Sequence, residues 1–299
     1  MKYLVTGGAG FIGSNIVKLL VKNGHEVIVI DNLHTGDLSR LQEVWERIRF
    51  FNIDIRDFNK LKSIIYGIDG IFHQAALTVV SESFEKPREY YDINVNGTKN
   101  IFEIAKQLQI KVVFASSSSV YGYVNEIPIK ETFSLNPINP YGETKVEKEK
   151  LARKYWNEGV KIIGLRYFNV YGIGQTGTYA GVITQFLKRL NSNLQPIIHG
   201  KGDQIRDFIS VSDVAEANLK SMESTIANEF LNIGTGKSIS ILELAKLMTS
   251  ISSKNLEPIF DGELRGDIDK SQADISLSSE KIHWKYKIEL SEGLKELFH

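Results

Sequence analysis

Short apolar segments alternate with longer helical patterns through the first 169 residues of this 299-residue chain. The apolar segments have the length and composition of buried strands, and the stretches between them have the spacing of helices. Strands that alternate with helices pair in parallel, because each helix crosses back over the sheet. The expected strands are 2–6, 26–31, 48–55, 70–76, 111–117 and 161–169, with helices at 11–24, about 57–67, 88–109 and 141–157. The alternation predicts an α/β fold with a doubly wound parallel sheet.

The pattern changes after Asn169, where Gly, Thr and Asn become frequent and the elements become shorter. We therefore expect two domains, a larger one at 1–169 and a smaller α/β domain that occupies most of 170–299. A segment near 206–236 is expected to return to the first domain, because 230–248 contains a further strand pattern.

The charge balance and the residue types exclude several classes of protein. Lys and Arg total 36, as do Asp and Glu, which argues against a nucleic-acid surface spread over the whole chain. The absence of cysteine excludes disulfides, thiolate metal sites and a cysteine nucleophile, and the six histidines have no metal-binding spacing. No signal peptide is recognisable, and no apolar run approaches the roughly 18 residues of a membrane helix. We expect a cytoplasmic protein with no metal, nucleic acid or membrane partner.

Glycines crowd the turn between the first predicted strand and the first predicted helix. In VTGGAGFIGSN, Gly8, Gly10 and Gly13 have the spacing G-x-G-x-x-G, and Gly7, Gly10 and Gly13 have the spacing G-x-x-G-x-x-G. A backbone without side chains can turn tightly and approach a diphosphate, whose charge then faces the helix N-terminus. Between a strand and a helix, the motif predicts a dinucleotide site of the Rossmann type.

An acidic residue ends the second predicted strand. Asp31 lies 18 residues after Gly13, where a carboxylate accepts hydrogen bonds from a ribose 2′-hydroxyl and repels a 2′-phosphate. We therefore expect NAD rather than NADP as the cofactor. The alternative is a glycine-rich turn with a surface aspartate, and the combination of strand, loop, helix and Asp31 disfavours it.

A tyrosine and a lysine share one face of a later predicted helix. Asn139 is a candidate N-cap and Pro140 the first helical residue, so Tyr141 and Lys145 stand at i and i+4. An ammonium and a positively charged nicotinamide would favour the phenolate of a group whose ordinary pKa is about 10, and so make it a general base. The alternative, that Lys145 belongs to the solvated face of a Lys/Glu-rich helix, is weakened by the upstream glycine loop.

These motifs resemble those of the extended short-chain dehydrogenase/reductases, in particular the NAD-dependent epimerase/dehydratase family typified by UDP-glucose 4-epimerases. The resemblance covers nearly the whole chain. Beyond the glycine loop it rests on DN at 31–32, DIRD at 54–57, HQAA at 73–76, YYDINVNGT at 90–98, SSSSVYG at 116–122, PYGETK at 140–145, RYFNVYG at 166–172, RDFISVSDVA at 206–215 and NIGTG at 232–236.

The resemblance implies NAD-dependent 4-epimerisation of a UDP-hexose by transient oxidation. Tyr141 would remove the 4′-hydroxyl proton while C4′ passes a hydride to NAD⁺, the 4-keto sugar would turn over, and the hydride would return to the opposite face. The implied substrates are UDP-glucose and UDP-galactose, with the N-acetylated pair as an extension. Alternatives are another nucleotide-sugar oxidoreductase or dehydratase, a dehydrogenase that releases NADH, and a dinucleotide-binding regulator without catalysis.

The family pattern also separates the four serines at 116–119. Its catalytic Ser or Thr lies four residues before the tyrosine of V-Y-G, which is Tyr121 here, so the resemblance implies Ser117 as the catalytic hydroxyl. Ser116 would lie beside the nicotinamide, and Ser118 and Ser119 would form a turn. Related dehydratases and decarboxylases carry carboxylates in this neighbourhood, and their absence here disfavours dehydration.

The family's binding positions carry over residue by residue. The implied cofactor contacts are Gly7, Gly10, Phe11, Ile12, Gly13, Asp31, Asn32, Gly36, Asp54, Ile55, Gln74, Ala75, Ala76, Asn94, Ser116, Tyr141, Lys145 and Phe168. The implied UDP-sugar contacts are Ser117, Tyr141, Asn169, Val182, Arg206, Arg265 and Ser271. The family further implies a homodimer joined by the helices near 88–109 and 141–157.

Three of the substrate positions carry specific expectations. An arginine fork matches phosphate oxygens, so Arg206 and Arg265 are expected to hold the diphosphate, with surface salt bridges to neighbouring aspartates as the alternative. The chain is one residue shorter than the family pattern beside Arg265. Ser271 is small where epimerases confined to unacetylated sugars often have tyrosine, which would leave room for an N-acetyl group.

Overall fold

A seven-stranded parallel sheet lies at the centre of the computed structural model, which describes residues 1–175, 181–262 and 268–298. The strands are β1 (Lys2–Thr6), β2 (Glu26–Asp31), β3 (Ile48–Asn52), β4 (Gly70–His73), β5 (Lys111–Ser117), β6 (Ile162–Tyr167), β7 (Asn169–Tyr171), β8 (Ile197–His199), β9 (Ile205–Arg206), β10 (Phe208–Ser210), β11 (Asn228–Ile233), β12 (Ile239–Ser240), β13 (Ile259–Asp261) and β14 (Lys270–Ser271). The central sheet has the order β11-β6-β5-β4-β1-β2-β3, and each neighbouring pair is parallel. The predicted doubly wound α/β fold is confirmed.

Helices cover both faces of this sheet. They are α1 (Phe11–Lys22), α2 (Phe58–Ile64), α3 (Val80–Glu85), α4 (Pro87–Tyr91), α5 (Gly97–Leu108), α6 (Pro140–Asn157), α7 (Val182–Asn191), α8 (Val211–Glu223), α9 (Ile241–Ile251), α10 (Ser276–Ile282) and α11 (Leu290–Glu296). Successive strand residues point to opposite faces. Leu4 of β1 accordingly packs in a core cluster with Ile101 of α5, whereas Val5 packs in another with Val17 of α1.

Two predicted strands are shorter than expected. β3 ends at Asn52 instead of residue 55, and β4 ends at His73 instead of residue 76. The residues that follow, 53–55 and 74–76, leave the sheet and line a cavity at its carboxyl edge. Their apolar character, which suggested longer strands, therefore reflects a cavity wall as well as the sheet.

The predicted helix at 88–109 is interrupted. α4 and α5 are joined by a π-helical turn, Asp92–Asn96, within one continuous helical path. The turn buries Asn94 completely. The amide oxygen of Asn94 accepts from Leu77 N (2.8 Å), and its amide nitrogen donates to Leu77 O (3.0 Å) and Thr144 Oγ1 (3.0 Å), so it ties the segment after β4 to α6.

The chain after residue 169 contributes to two places. β11 pairs with β6 at the edge of the central sheet, as expected for the strand pattern in 230–248. A separate hydrophobic cluster contains Phe186 of α7, Leu244 of α9 and Leu294 of α11. Within the described ranges, no helix is both long enough and apolar enough to cross a membrane.

Candidate active site

A cavity of about 590 Å³ lies at the carboxyl edge of the central sheet, which is where open α/β sheets bind their ligands. Most of the residues expected to bind the cofactor or to carry the chemistry meet there. They are Gly7, Gly10, Phe11, Ile12, Gly13, Asp31, Asn32, Asp54, Ile55, Gln74, Ala75, Ala76, Ser116, Ser117, Tyr141, Lys145 and Phe168.

The glycine loop has the shape that a diphosphate site requires. Gly7 has a φ of +66°, and a Cβ at Gly13 would collide with the Gly7 carbonyl, so both positions need glycine for backbone reasons. A Cβ at Gly10 would meet only Gly7 O within 4 Å, at 3.0 Å, and Gly10 lines the cavity. A side chain there would occupy space beside the N-terminus of α1, which is the space that a bound diphosphate needs. The loop therefore fits a dinucleotide.

Asp31 lies at the end of β2, where its carboxylate faces the glycine loop. Oδ2 accepts from Ala9 N at 3.0 Å and Oδ1 from Leu33 N at 2.8 Å. Burial raises the pKa of Asp31, and these two N–H groups oppose that shift. A Cβ at Gly36 would lie 2.7 Å from Oδ1, so the lack of a side chain at Gly36 leaves room for this carboxylate, although Gly36 does not line the cavity. The alternative of a surface aspartate is wrong, since Asp31 is only 7 % exposed.

A second carboxylate lies on the same side of the cavity. Asp54 accepts from Asn32 Nδ2 at 3.0 Å and from the guanidinium of Arg56 at 2.8 and 3.0 Å. The hydrogen bonds from Arg56 hold the pKa of Asp54 at about 2. Asn32 and Asp54 are thus fixed to each other, and Arg56 continues the chain of contacts to Asp92.

Ser117 and Tyr141 meet at the other end of the cavity. Ser117 ends β5, and its hydroxyl oxygen accepts from Ser119 N at 3.1 Å, which forms the predicted turn at Ser118 and Ser119. Tyr141 stands in the first turn of α6, where the predicted cap is confirmed because Asn139 Oδ1 accepts from Gly142 N at 2.8 Å. Ser117 Oγ donates to Ser119 Oγ at 3.1 Å, and an interaction of its side chain with Tyr141 acts to lower the pKa of the phenol.

Lys145 is buried beneath this pair. It is 1 % exposed, its Nζ donates to Ala115 O at 3.0 Å, and that nitrogen lies 5.4 Å from the centroid of the Tyr141 ring. A place on the solvated face of α6 is therefore ruled out. The i, i+4 spacing does bring the phenol and the ammonium together.

Burial dominates the ionisation of these two groups. Burial raises the pKa of Tyr141 to about 12, although its interaction with the Ser117 side chain opposes the shift. Burial also lowers the pKa of Lys145 to about 8, opposed by the charge of Glu149. Desolvation is the largest cause of both shifts, and the ammonium of Lys145 donates to a carbonyl instead of the phenol oxygen. The expected lowering of the phenol pKa by Lys145 together with an oxidised nicotinamide stays a prediction.

The sequence patterns did not predict a buried polar network that lies below the site. Glu149 accepts from Ser116 Oγ at 2.6 Å and from Arg166 Nε and Nη2 at 2.9 and 2.7 Å. Arg166 also donates to the hydroxyl of Tyr121 at 2.8 Å. A signal was available, since Glu149 stands at i+4 from Lys145 and i+8 from Tyr141, on the same helix face. Its partner Arg166 lies on a distant strand that spacing does not reveal.

The sequence patterns also did not predict the burial of Lys148 beneath the site. It is fully buried, stands at i+7 from Tyr141, and its Nζ lies 3.4 Å from the Ala115 carbonyl oxygen that accepts from Lys145. Burial and the charge of Lys145 lower the pKa of Lys148 well below its ordinary value. Two lysines therefore share one carbonyl acceptor under the site.

Among the described residues, the expected UDP-sugar contacts other than Ser117 and Tyr141 do not line this cavity. Asn169 Nδ2 donates to Asp207 O at 3.2 Å, and Val182 begins α7. Arg206 and Ser271 are paired residues of β9 and β14, 7 % and 1 % exposed. Arg265 lies outside the described residues.

The alternative role of Arg206, a surface salt bridge with Asp207, does not fit the structure. Both residues are buried, and the carboxylate of Asp207 accepts from Thr235, Gly236 and Ala273.

Comparisons with known proteins agree with this geometry. The model of the NAD dependent epimerase/dehydratase family matches residues 3–234. A UDP-glucose 4-epimerase of Lactobacillus helveticus is 34 % identical over 312 residues, covering 97 % of this chain and 93 % of that protein.

Two solved structures have nearly the same fold. One is a UDP-glucose 4-epimerase of Thermotoga maritima with UDP-glucose (TM-score 0.96, 36 % identity, 100 % of this chain and 97 % of that chain). The other is a UDP-N-acetylglucosamine 4-epimerase of Methanobrevibacter ruminantium in complex with UDP-N-acetylmuramic acid (TM-score 0.95, 35 % identity, 99 % and 96 %). With the glycine loop, Asp31 and the Ser117–Tyr141–Lys145 group in one cavity, the chain belongs to the NAD dependent epimerase/dehydratase family.

Proposed function

We propose that this protein is an NAD-dependent isomerase that inverts C4 of a UDP-hexose. The observation that carries the proposal is the meeting of Ser117, Tyr141 and Lys145 at one end of a cavity whose other end is the glycine loop and Asp31. A dinucleotide-binding regulator has no need of a buried serine, tyrosine and lysine at the end of its cofactor cavity.

The cofactor half of the cavity suits NAD. Gly7, Gly10 and Gly13 would admit the diphosphate to the N-terminus of α1, and the Asp31 carboxylate would accept from the ribose hydroxyls. The remaining cofactor contacts that we propose are Phe11, Ile12, Asn32, Gly36, Asp54, Ile55, Gln74, Ala75, Ala76, Ser116, Tyr141, Lys145 and Phe168, with Asn94 bracing the cavity from behind. When bound, NAD supplies the hydride acceptor for the sugar alcohol and the hydride donor for the ketone.

The protein's own residues manage the proton. Ser117 and Tyr141 line the same end of the cavity, so a sugar 4′-hydroxyl that contacts both would pass its proton to the tyrosine oxygen. Lys145 fixes a positive charge beside the aromatic ring, 5.4 Å from its centroid. Ser116 lines the cavity, and its hydrogen bond to Glu149 fixes the orientation of its side chain.

The nucleotide half of the substrate requires cations and polar groups at the far side of the site. We propose Asn169, Val182 and Arg206 as UDP contacts, together with Arg265. Arg206 is buried and pairs with Ser271 across β9 and β14, so a sugar nucleotide that contacts Arg206 would lie beside Ser271 as well. The Ser271 hydroxyl is buried without a hydrogen-bond partner among the described residues, which suits a position that a substrate completes.

The substrate range includes, in this proposal, both UDP-glucose with UDP-galactose and the N-acetylated pair. The small side chain of Ser271 supports the wider range. Incubation with each UDP-sugar and chromatography of the products tests it directly. Inversion of UDP-galactose with no turnover of UDP-N-acetylglucosamine would refute the wider range and leave the epimerase intact.

The test of the proposed function is product formation without net use of cofactor. UDP-galactose should become UDP-glucose while the absorbance of reduced nicotinamide stays constant, and Tyr141→Phe should slow the conversion by at least about a hundredfold while NAD remains bound. Accumulation of NADH with each turnover would instead identify a dehydrogenase. Full speed in the Tyr141→Phe variant would refute the mechanism.

We further propose a division of the chain into an NAD-binding domain at 1–169, with a returning segment near 206–236, and a domain at 170–299 that mainly binds the UDP-sugar. A cytoplasmic homodimer joined through α4, α5 and α6 is part of the same proposal, supported by the exposed aromatic ring of Tyr91 and side chain of Leu108. Sedimentation equilibrium of the wild type and a Tyr91→Glu variant tests the dimer.

A further inference from the structure

Arg40 joins two walls of the cofactor cavity. It belongs to the 3₁₀ segment Leu38–Arg47 and lines the cavity. Its Nη1 donates to Ala9 O of the glycine loop at 3.0 Å, and its Nε donates to Gly174 O, in the segment that follows β7, at 3.1 Å. One guanidinium therefore connects Ala9 with Gly174, two residues that are more than 160 positions apart in the chain and share no element.

Both ends of this connection are anchored. The Ala9 carbonyl also accepts from Asp37 N at 2.9 Å, so the segment 37–40 donates two hydrogen bonds to the glycine loop. On the other side, Gln175 Nε2 donates to Val170 O at 3.2 Å, and Gln175 Oε1 accepts from Thr184 Oγ1 of α7 at 2.8 Å. The carbonyl of Gly174 is thus presented by a loop that its neighbours hold in place.

The positive charge of Arg40 lies at the glycine-loop end of the cavity, where the negatively charged diphosphate of NAD would bind. Among the described residues that line the cavity, Arg40 and Lys145 are the only lysine or arginine side chains. Lys145 donates to Ala115 at the Tyr141 end, whereas Arg40 touches the glycine loop. A diphosphate on that loop carries negative charge, and a guanidinium combines a permanent positive charge with a rigid set of donors.

We propose that Arg40 is a strap that retains NAD, by tying the segment after β7 to the glycine loop and by holding a positive charge at the diphosphate site. The inference rests on the proposed function only in taking NAD as the ligand. Release of NAD then requires the Arg40 contacts to open. The strap explains how an enzyme that reuses its cofactor within one catalytic cycle keeps that cofactor in place.

The test follows NAD itself. Protein loaded with radiolabelled NAD is mixed with an excess of unlabelled NAD, and the bound label is followed with time. Arg40→Met should lose label about 10-fold to 100-fold faster than wild type, the range that charged hydrogen bonds contribute. Arg40→Lys keeps the charge without the fork and should still lose label about threefold faster or more.

Arg47→Met is the matched control. Arg47 lies in the same 3₁₀ segment and donates to a backbone carbonyl, Val21 O at 2.8 Å, but does not line the cavity. This variant should exchange NAD at the wild-type rate. Circular dichroism checks that each variant is folded. If Arg40→Met is not folded, the NAD exchange rate of Arg40→Lys tests the inference.

Two results would overturn the inference. Arg40→Met exchanging NAD at the wild-type rate removes any retaining role. Arg40→Lys exchanging at the wild-type rate reduces Arg40 to a point charge and refutes the strap. A wild-type protein that binds no NAD would refute the proposed function instead, so the two failures are distinguishable.

Discussion

Replacement of Lys145 by methionine should change how stability depends on pH. Burial lowers the pKa of Lys145 from 10.5 to about 8. Between those two values the unfolded chain carries a proton on this lysine that the folded chain does not. The free energy of unfolding of the wild type therefore rises with pH across this window, and this contribution is absent from Lys145→Met.

The magnitude follows from the shift. A difference of 2.5 pKa units corresponds to about 3 kcal/mol by which the ammonium destabilises the fold below pH 8. By pH 10 the same group costs less than about 1 kcal/mol, because it is neutral in the folded protein and partly neutral in the unfolded chain. The stability advantage of Lys145→Met over wild type should thus shrink by about 2.5 kcal/mol from pH 7 to pH 10.

Urea unfolding of NAD-free protein, followed by tryptophan fluorescence at pH 7, 8, 9 and 10, measures this change. Lys154→Met is the control, because Lys154 lies on the same helix with its side chain exposed. The loss of the hydrogen bond to Ala115 shifts Lys145→Met by an amount that does not depend on pH, so only the trend counts. A difference between Lys145→Met and wild type that stays constant from pH 7 to pH 10 would refute the reasoning.

Two further substitutions separate neighbouring roles. Ser117→Ala should cut turnover well over tenfold, because it removes the hydroxyl that lines the cavity beside Tyr141. Ser119→Ala removes the hydroxyl that accepts from Ser117 Oγ but keeps the backbone N–H that donates to Ser117, and it should change turnover little. Steady-state rates on UDP-galactose check this, and the reverse ranking contradicts the assignment. Glu149→Gln should destabilise the protein by about 3–5 kcal/mol, because Arg166 loses its buried counter-charge and one amide hydrogen faces the guanidinium. Urea unfolding measures that loss, and a Glu149→Gln variant as stable as wild type would show that the ion pair carries no net stabilisation.

The sequence predicted the central sheet and most of the cavity because both depend on local patterns. The glycine spacing, the acidic end of β2 and the i, i+4 pair on α6 each reflect a short stretch of chain, and parallel strands gather their carboxyl ends at one edge. The strand lengths at 48–55 and 70–76 were overestimated for a related reason. Apolar residues that line a cavity look the same in sequence as apolar residues in a sheet.

The features that escaped prediction depend on contacts between distant parts of the chain. Arg40 reads in sequence as a surface residue of a charged segment, and its contact with Gly174 spans 134 residues. In the sequence, Arg166 is one polar residue within a strand pattern, and only the folded structure places Glu149 and Tyr121 against it. The pKa of Tyr141 follows from burial by the whole fold, which no local spacing conveys.

In the proposed mechanism, the pKa of Tyr141 requires that this base act only when a cofactor charge is present. A phenol with a pKa of about 12 must become more acidic by several units to accept and return protons near neutral pH. One unit positive charge about 5 Å from an oxygen contributes about 3 kcal/mol at an effective dielectric constant of about 20, or roughly 2 pKa units. A single cation is therefore insufficient, and the proposed mechanism needs the charge of Lys145 together with that of the oxidised nicotinamide. Lys145 costs the fold about 3 kcal/mol at neutral pH, and in the proposed mechanism this is the stability cost of holding the first of the two charges beside the phenol.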